Sequence, residues 1–527
     1  MLTLRNKLFF LIVFFTIFSE IPHILQLNFL GSFFGKDLSI YPILIAFIYC
    51  IWEYRKEKQS FQATNMTKIF VTYIIVYVVT IFISFVQGLY IYPYYDAILA
   101  GPVQQIDKLP MAQSFLQRLG IFISEQTLLK VWMFARPIKG FIFECFWFFS
   151  VPLMIYLWFR KDAHTGIIIL HKAVICASVV VCFYGILDVF YLSGSTVAEN
   201  ILIHVNPFVH NIKSNGTWWP PLLWKGQLRS LFAEPSYYGI FAAFAMPWIW
   251  YSLLKGKNWR KKTIICLLLI AFLIGLFLTK SRTANALFGG ELILLIIVTI
   301  WYHEKSFIKN TAVIVILTLF SFSIATVSMS YMPGSPSRTK VMGYSEEKTE
   351  AMGVYLQDNL GSITSSTQRS NRSRYSIFKA SVAIGKDYPI LGVGKGLRQA
   401  YIPDYLPEEA FAGNEIQRWI HDQKEKGIMK SGFPALGEYC TRFAETGIVG
   451  LLVYLLPSFY LLLQLLKRMR STLSSPEQKE ETIFFLFSWL GIMASGLGDN
   501  LNITCCYWIL MGIGYALILP EKREKIL

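Results

Sequence analysis

Apolar residues run along this chain in blocks of about 18 to 25, not in the narrow stripes of a water-soluble helix. At about 1.5 Å per residue, a helix of that length crosses a hydrocarbon layer of roughly 30 Å. The pattern predicts about twelve spans, near 7–29, 37–53, 68–88, 140–159, 167–192, 232–254, 263–279, 284–301, 311–331, 447–466, 482–497 and 503–519. The first block is too long for a signal peptide and lacks a small-residue cleavage site, so it is expected to be the first helix. The fold class expected is an all-α polytopic membrane protein.

Composition narrows the class further. The 527 residues are 54% hydrophobic and 16% charged, with a mean hydropathy of +0.47. Soluble domains carry about a quarter charged residues. A soluble enzyme, a nucleic-acid-binding domain and a disordered chain are therefore excluded. The balance of 49 Lys+Arg against 33 Asp+Glu, a net charge of +16, lies mostly in short clusters between spans. These are Arg5 and Lys7; Arg55 to Lys58; Arg160 and Lys161; Lys255 to Lys262; Lys305 and Lys309; Lys467 to Arg470; and Lys522 to Lys525. With twelve spans all seven clusters fall on one side, which the positive-inside rule assigns to the cytoplasm together with both termini. The eight cysteines lie in or beside apolar stretches without metal-site or disulfide spacing, and read as small packing residues.

Three sizeable connections then lie outside, about 89–139, 193–231 and 332–446. The domain organisation expected is spans one to nine over 1–331, a large outer loop over 332–446, and spans ten to twelve with a short tail over 447–527. The large loop opens with Pro/Gly/Ser punctuation from Met332 to Ser337 and carries a polar stretch from Gly361 to Ser373. An amphipathic stretch follows from Arg374 to Ala383, then turn signals at Tyr388-Pro389, Gly392, Gly394 and Gly396. A connection this long is functional or disordered, and its alternating helix and turn signals predict short helices folded against the outer face.

An ionisable side chain at or inside a span points to function. Arg229, Glu234 and Tyr237 open the sixth span, while Lys280 and Arg282 form a basic outer turn that opposes the topology rule. The outer loop adds Arg372, Arg374, Lys395 and Arg398. Arginine presents a planar fork of donors that matches phosphate oxygens. Arginines gathered at one outer face therefore suit an anionic, phosphorylated head at the membrane surface, and equally a basic loop resting on lipid headgroups. Gly392-Val393-Gly394-Lys395-Gly396 lacks P-loop spacing and reads as a turn of close backbone approach. The outer histidines His204, His210 and His421 show no metal-ligand spacing, so neither a metal nor a cofactor is expected. Glu20 and His23 flank Pro22 in the first span, where a helix-kink contact is the commoner explanation.

Four segments together resemble the O-antigen polymerase and O-antigen ligase superfamily of bacterial membrane glycosyltransferases. They are Arg229 with Phe232-Ala233-Glu234-Pro235-Ser236-Tyr237-Tyr238-Gly239; Thr279-Lys280-Ser281-Arg282-Thr283; Arg374 to Ala380 running into Tyr388 to Gly396; and Arg442-Phe443-Ala444-Glu445-Thr446-Gly447-Ile448-Val449-Gly450. The resemblance covers roughly 228–455 and implies a GT-C-like architecture in a bacterial cytoplasmic membrane. It implies an undecaprenyl-pyrophosphate-linked oligosaccharide donor, a second lipid-linked repeat unit as acceptor, and catalysis without a metal. A chain-length regulator and a flippase of the same pathway are the partners it suggests, beside the bilayer itself; nucleic acid is not among them. Arg229, Arg282 and Arg374 would neutralise the leaving pyrophosphate, with Glu234, Tyr237, Lys280, Arg372, Lys395 and Arg398 binding substrate.

Ligases of this superfamily commonly carry a His-Asn pair ahead of the Ala-Glu-Thr-Gly motif, and here Leu436 and Gly437 stand there. The general-base candidates are then Glu438 and His421, with Glu234 and Asp404 behind them. Arg374 and Gly385 also form an R-x10-G match of the kind described for polymerase loops. The expected function is polymerisation of lipid-linked repeat units for an exopolysaccharide, capsule or O-antigen. The alternatives are ligase-type transfer of a finished glycan to a terminal acceptor, and a lipid-linked oligosaccharide flippase.

Overall fold

The computed structural model describes residues 3–30, 34–56, 65–212, 220–256, 258–330, 332, 369–471 and 475–519. The punctuation after Met332, and the polar stretch from Gly361 up to residue 368, lie outside the described residues. Among these the regular structure is entirely helical. The first part holds α1 (Leu4–Phe14), α2 (Ile40–Lys56), α3 (Asn65–Ile91), α4 (Tyr95–Leu99), α5 (Leu109–Arg118) and α6 (Glu125–Phe159). The middle holds α7 (Ala163–Leu192), α8 (Thr196–Val209), α9 (Pro235–Lys255), α10 (Trp259–Leu278), α11 (Arg282–Tyr302) and α12 (Lys305–Ser330). The outer loop supplies α13 (Arg369–Asp387), α14 (Arg398–Tyr405) and α15 (Asn414–Lys426), and the last part α16 (Glu438–Arg470), α17 (Pro476–Ser495) and α18 (Cys506–Ile518).

Seven described helices are long and apolar enough to cross a membrane: those beginning at Lys68 within α3, and α6, α7, α10, α11, α12 and α16. Helices α9 and α17 pack closely on each other at the centre. Helix α9 is buried almost all round, from Pro235 to Leu253.

Two sequence expectations change. The first apolar block is not one helix: α1 stops at Phe14, and short 3₁₀ turns follow at Phe15–Ile17, His23–Leu25 and Asn28–Leu30. The cause is the Glu20-Ile21-Pro22 break, where Glu20 adopts φ of 53° and pairs with Lys36 at 3.0 Å. Backbone groups freed there are satisfied locally, Ile21 N–H donating to Lys36 O at 2.9 Å and Leu27 N–H to Gly35 O at 2.8 Å. Second, α6 begins well before residue 140. Ser124 caps it by accepting from Thr127 N–H at 3.2 Å, and the helix runs 35 residues through Pro137 and Pro152.

Two cores result. The larger lies among the spans; the smaller joins the 92–133 connection to the outer loop through Tyr95, Leu129, Ile377, Ile384, Val393 and Tyr401. Gln105 ties these two segments, its Oε1 accepting from Met429 N–H at 3.2 Å. The described part of the large loop is thus a folded helical layer packed on the 92–133 connection.

Candidate active site

The glycine turn and the Ala-Glu-Thr-Gly segment form one structural unit. Helix α16 kinks at Gly447, where φ is 63° and ψ is −168°, a conformation open essentially to glycine alone. The N–H groups orphaned by the kink donate to the turn: Ile448 to Pro389 O at 2.8 Å and Val449 to Ile390 O at 3.3 Å. In the other direction Val393 N–H donates to Ala444 O and Gly394 N–H to Glu445 O, each at 2.9 Å. A Cβ on Gly447 would press into Ile390 O, and one on Gly392 into the Glu445 carbonyl. This clamp fixes Lys395 beside α16.

Lys395 pairs with Glu144 of α6 in a cavity of about 270 Å³. The other oxygen of Glu144 accepts from Arg442 Nη2 at 2.7 Å. Arg442 Nε donates to Glu438 Oε1 at 2.7 Å, and its guanidinium lies 4.5 Å from the Tyr454 ring centroid. Glu438 Oε2 accepts from Leu501 N–H at 3.3 Å, so both of its oxygens are engaged. The Glu438 N–H donates to Gly496 O at 2.8 Å and to Asp499 O at 3.2 Å.

The 496–502 turn between α17 and α18 is therefore one wall of this cavity, and its opposite side carries a second cluster. Arg374 Nη1 donates to Gly498 O at 2.9 Å and to Asp499 Oδ1 at 3.2 Å, and its Nη2 lies 3.9 Å from Glu234 Oε1. Burial pushes the Asp499 carboxyl above its ordinary value, with Arg374 pulling it down and Glu234 raising it further. Burial also draws the Arg374 guanidinium down, but Asp499 and Glu234 outweigh it and hold the value above the usual one. Tyr237, half-buried, lies in the field of the same two carboxylates.

The remaining candidates divide by place. Gly239 packs directly on Ala284, which sets the start of α9, with Glu234, level with the start of α11, with Arg282. Ser281 caps α11 by accepting from Ala284 N–H at 3.3 Å, leaving Arg282 half-buried at the helix origin. Lys280, at φ of 48°, is half-buried, and burial lowers its ammonium. Arg372 is half-buried on α13, where its chain passes Gly413. Arg398 is 3% exposed and holds the 369–446 segment together, Nη1 donating to Ser381 Oγ at 2.7 Å and Nη2 to Pro434 O at 3.0 Å. Arg229 is 2% exposed: Asp188 accepts from its backbone N–H at 3.0 Å, and its Nη2 donates to Leu222 O at 3.1 Å. His421 is exposed on α15 and does not line the cavity.

Sequence reasoning passed over Asp499 and Glu144 and gave Arg442 no role. Glu144 was signalled as a lone carboxylate inside an apolar run, and Asp499 as an acidic residue in a short polar turn between the last two spans. No group of His, Cys, Asp or Glu among the described residues could hold a metal ion. Among curated proteins, no match to the chain was found. Residues 267–455, which include Arg282, Arg374 and the whole turn-and-kink clamp, match the family model described as O-antigen ligase, which supports the resemblance to the O-antigen ligase and polymerase superfamily.

Proposed function

We propose that this protein polymerises lipid-linked oligosaccharide repeat units at the outer face of a bacterial cytoplasmic membrane. The observation that carries the reading is Arg374, held between Glu234 and Asp499 where α9, the outer layer and the 496–502 turn meet. The superfamily's members are glycosyltransferase-like enzymes, which supports glycosyl transfer at this site. Twelve crossings with both termini cytoplasmic put Glu234, Arg282, Arg374 and the 496–502 turn together on the outer side; the first crossing is completed by the turns after α1. This is the GT-C-like arrangement that the resemblance implies.

The donor in this reading is a glycan on undecaprenyl pyrophosphate, and the acceptor a hydroxyl of a second lipid-linked unit. As the bond to the anomeric carbon breaks, charge builds on the departing pyrophosphate. Arg282 and Arg374 supply fixed donors to that charge, with Lys280 and Arg372 nearby, so no metal is needed. Tyr237 borders the sugar. Arg229 and Arg398 act from behind by holding the surrounding backbone, and Lys395 by holding Glu144. A flippase delivers the donor, and a chain-length regulator sets the product size.

The description of the matched family favours a second reading, transfer of a finished glycan to a terminal acceptor. Polymerisation is preferred because Leu436 and Gly437 stand where ligases carry His-Asn. The test is complementation in cells lacking the native gene. Arg282→Ala and Arg374→Ala are each expected to accumulate single lipid-linked repeat units where the wild type makes polymer. Polymer at wild-type yield from both variants would remove this site from the reaction.

A further inference from the structure

Glycosyl transfer to a hydroxyl requires a proton acceptor, and the carboxylates around the cluster differ sharply in availability. Glu438 has Arg442 on one oxygen and Leu501 N–H on the other. Glu144 is divided between Lys395 and Arg442. Asp499 lies behind Arg374 with its side chain 7% exposed. Glu234 is different. It occupies the N-cap position of α9, yet its side chain makes no capping hydrogen bond, so the carboxylate is not engaged by the helix end. It stands 27% exposed, beside an Arg374 side chain that is 32% exposed, at 3.9 Å, beyond hydrogen-bond reach but well within charge range.

Resting on the proposed function, we infer that Glu234 is the general base that activates the acceptor hydroxyl, and that Asp499 is a positioning residue that aims Arg374. The acceptor O–H gives its proton to a Glu234 carboxylate oxygen while its lone pair forms the bond to the anomeric carbon. The bond from that carbon to the pyrophosphate oxygen breaks, and its electron pair leaves on the pyrophosphate, facing Arg374. The proton then passes from Glu234 to water, and the carboxylate is restored. Asp499 Oδ1, with Gly498 O, fixes one nitrogen of the guanidinium, so Nη2 stays directed at Glu234 and the reacting centre.

The experiment uses full-length protein in liposomes with its lipid-pyrophosphate repeat unit, offered either the natural sugar acceptor or sodium azide. Azide is already an anion and attacks without losing a proton, so it bypasses a base. Glu234→Gln is expected to lose a hundredfold or more in transfer to sugar while forming glycosyl azide within about tenfold of the wild-type rate. Asp499→Asn is expected to lower both reactions alike, because a misdirected Arg374 weakens leaving-group departure whichever nucleophile attacks. Sugar transfer within tenfold of wild type in Glu234→Gln, or equal loss of both reactions, overturns the assignment. If Glu234→Gln does not fold, Glu234→Asp decides: a larger loss with sugar than with azide supports the base, and equal losses overturn it. A wild-type protein that extends nothing with intact donor overturns the proposed function itself, and the base with it.

Discussion

Arg442 gives the sharpest test of how the first turns of α16 are held. It is 5% exposed and joins Glu438, Glu144 and the Tyr454 ring, with Tyr77 Oη 3.4 Å from Nη1. Arg442→Met keeps the bulk and removes the charge. Glu144 is then little affected, since it is 18% exposed and retains Lys395. Glu438 is the orphan: 3% exposed, it retains the Leu501 N–H but loses its paired charge. Removing one member of a buried ion pair costs about 3–5 kcal/mol, because the remaining charge stays in a poor solvent. The lost contact with Tyr454 adds about 0.5–2 kcal/mol, much of it inside that range. Unfolding by SDS titration in mixed micelles, followed by tryptophan fluorescence, should show a loss of about 3–5 kcal/mol. Adding Glu438→Gln to Arg442→Met should recover about 2 kcal/mol, since it deletes the orphaned charge, whereas Glu438→Gln alone is destabilising. A loss under 1 kcal/mol for Arg442→Met, or simple additivity of the two changes, would refute the reasoning.

Three further outcomes are expected. Arg374→Ala should lower the initial rate of chain extension a hundredfold or more, about 3 kcal/mol of transition-state stabilisation, and Arg374→Lys should fail to restore more than part of it because the fork is lost. Burial holds Asp499 above the ordinary carboxylate value, with Arg374 opposing and Glu234 reinforcing, so acidification protonates it early and loosens Arg374. With a raised folded value the folded state binds this proton more readily than the unfolded chain, so this group adds stability as pH falls through its folded value while turnover declines; parallel rate and unfolding profiles should separate on the acid side. Gly447→Ala forces a side chain into a glycine-only conformation and against Ile390 O, so it should destabilise by about 1–3 kcal/mol and lower the yield of folded protein in detergent, read by size-exclusion chromatography.

The multi-pass helical class was legible because hydropathy over 18 or more residues is a local signal. The turn at Gly392 to Gly396 was also legible in kind, since its spacing excluded a phosphate loop. Its purpose was not, because the partner is the kink at Gly447, some fifty residues on. Arg374 and Arg398 look alike in sequence, both being arginines in a polar loop. One faces Glu234 at the surface, while the other is buried against Ser381 and Pro434 O. The pairings that build the clusters are distant in the chain: Arg374 and Asp499 are 125 residues apart, Arg442 and Glu144 are 298 apart. Periodicity and local spacing carry no information about such contacts. The break after α1 was half-written in the chain, for Pro22 was visible, but the pairing of Glu20 with Lys36 that stabilises it was not.

The central claim is that this outer face joins repeat units, and the most direct measurement is the product length made by purified protein in liposomes from its lipid-pyrophosphate repeat unit, with EDTA present. The account predicts a ladder of lengthening lipid-linked glycans, undiminished by EDTA and absent with Arg374→Ala. Intact donor with no ladder, or a single transfer that requires an added terminal acceptor, would contradict it.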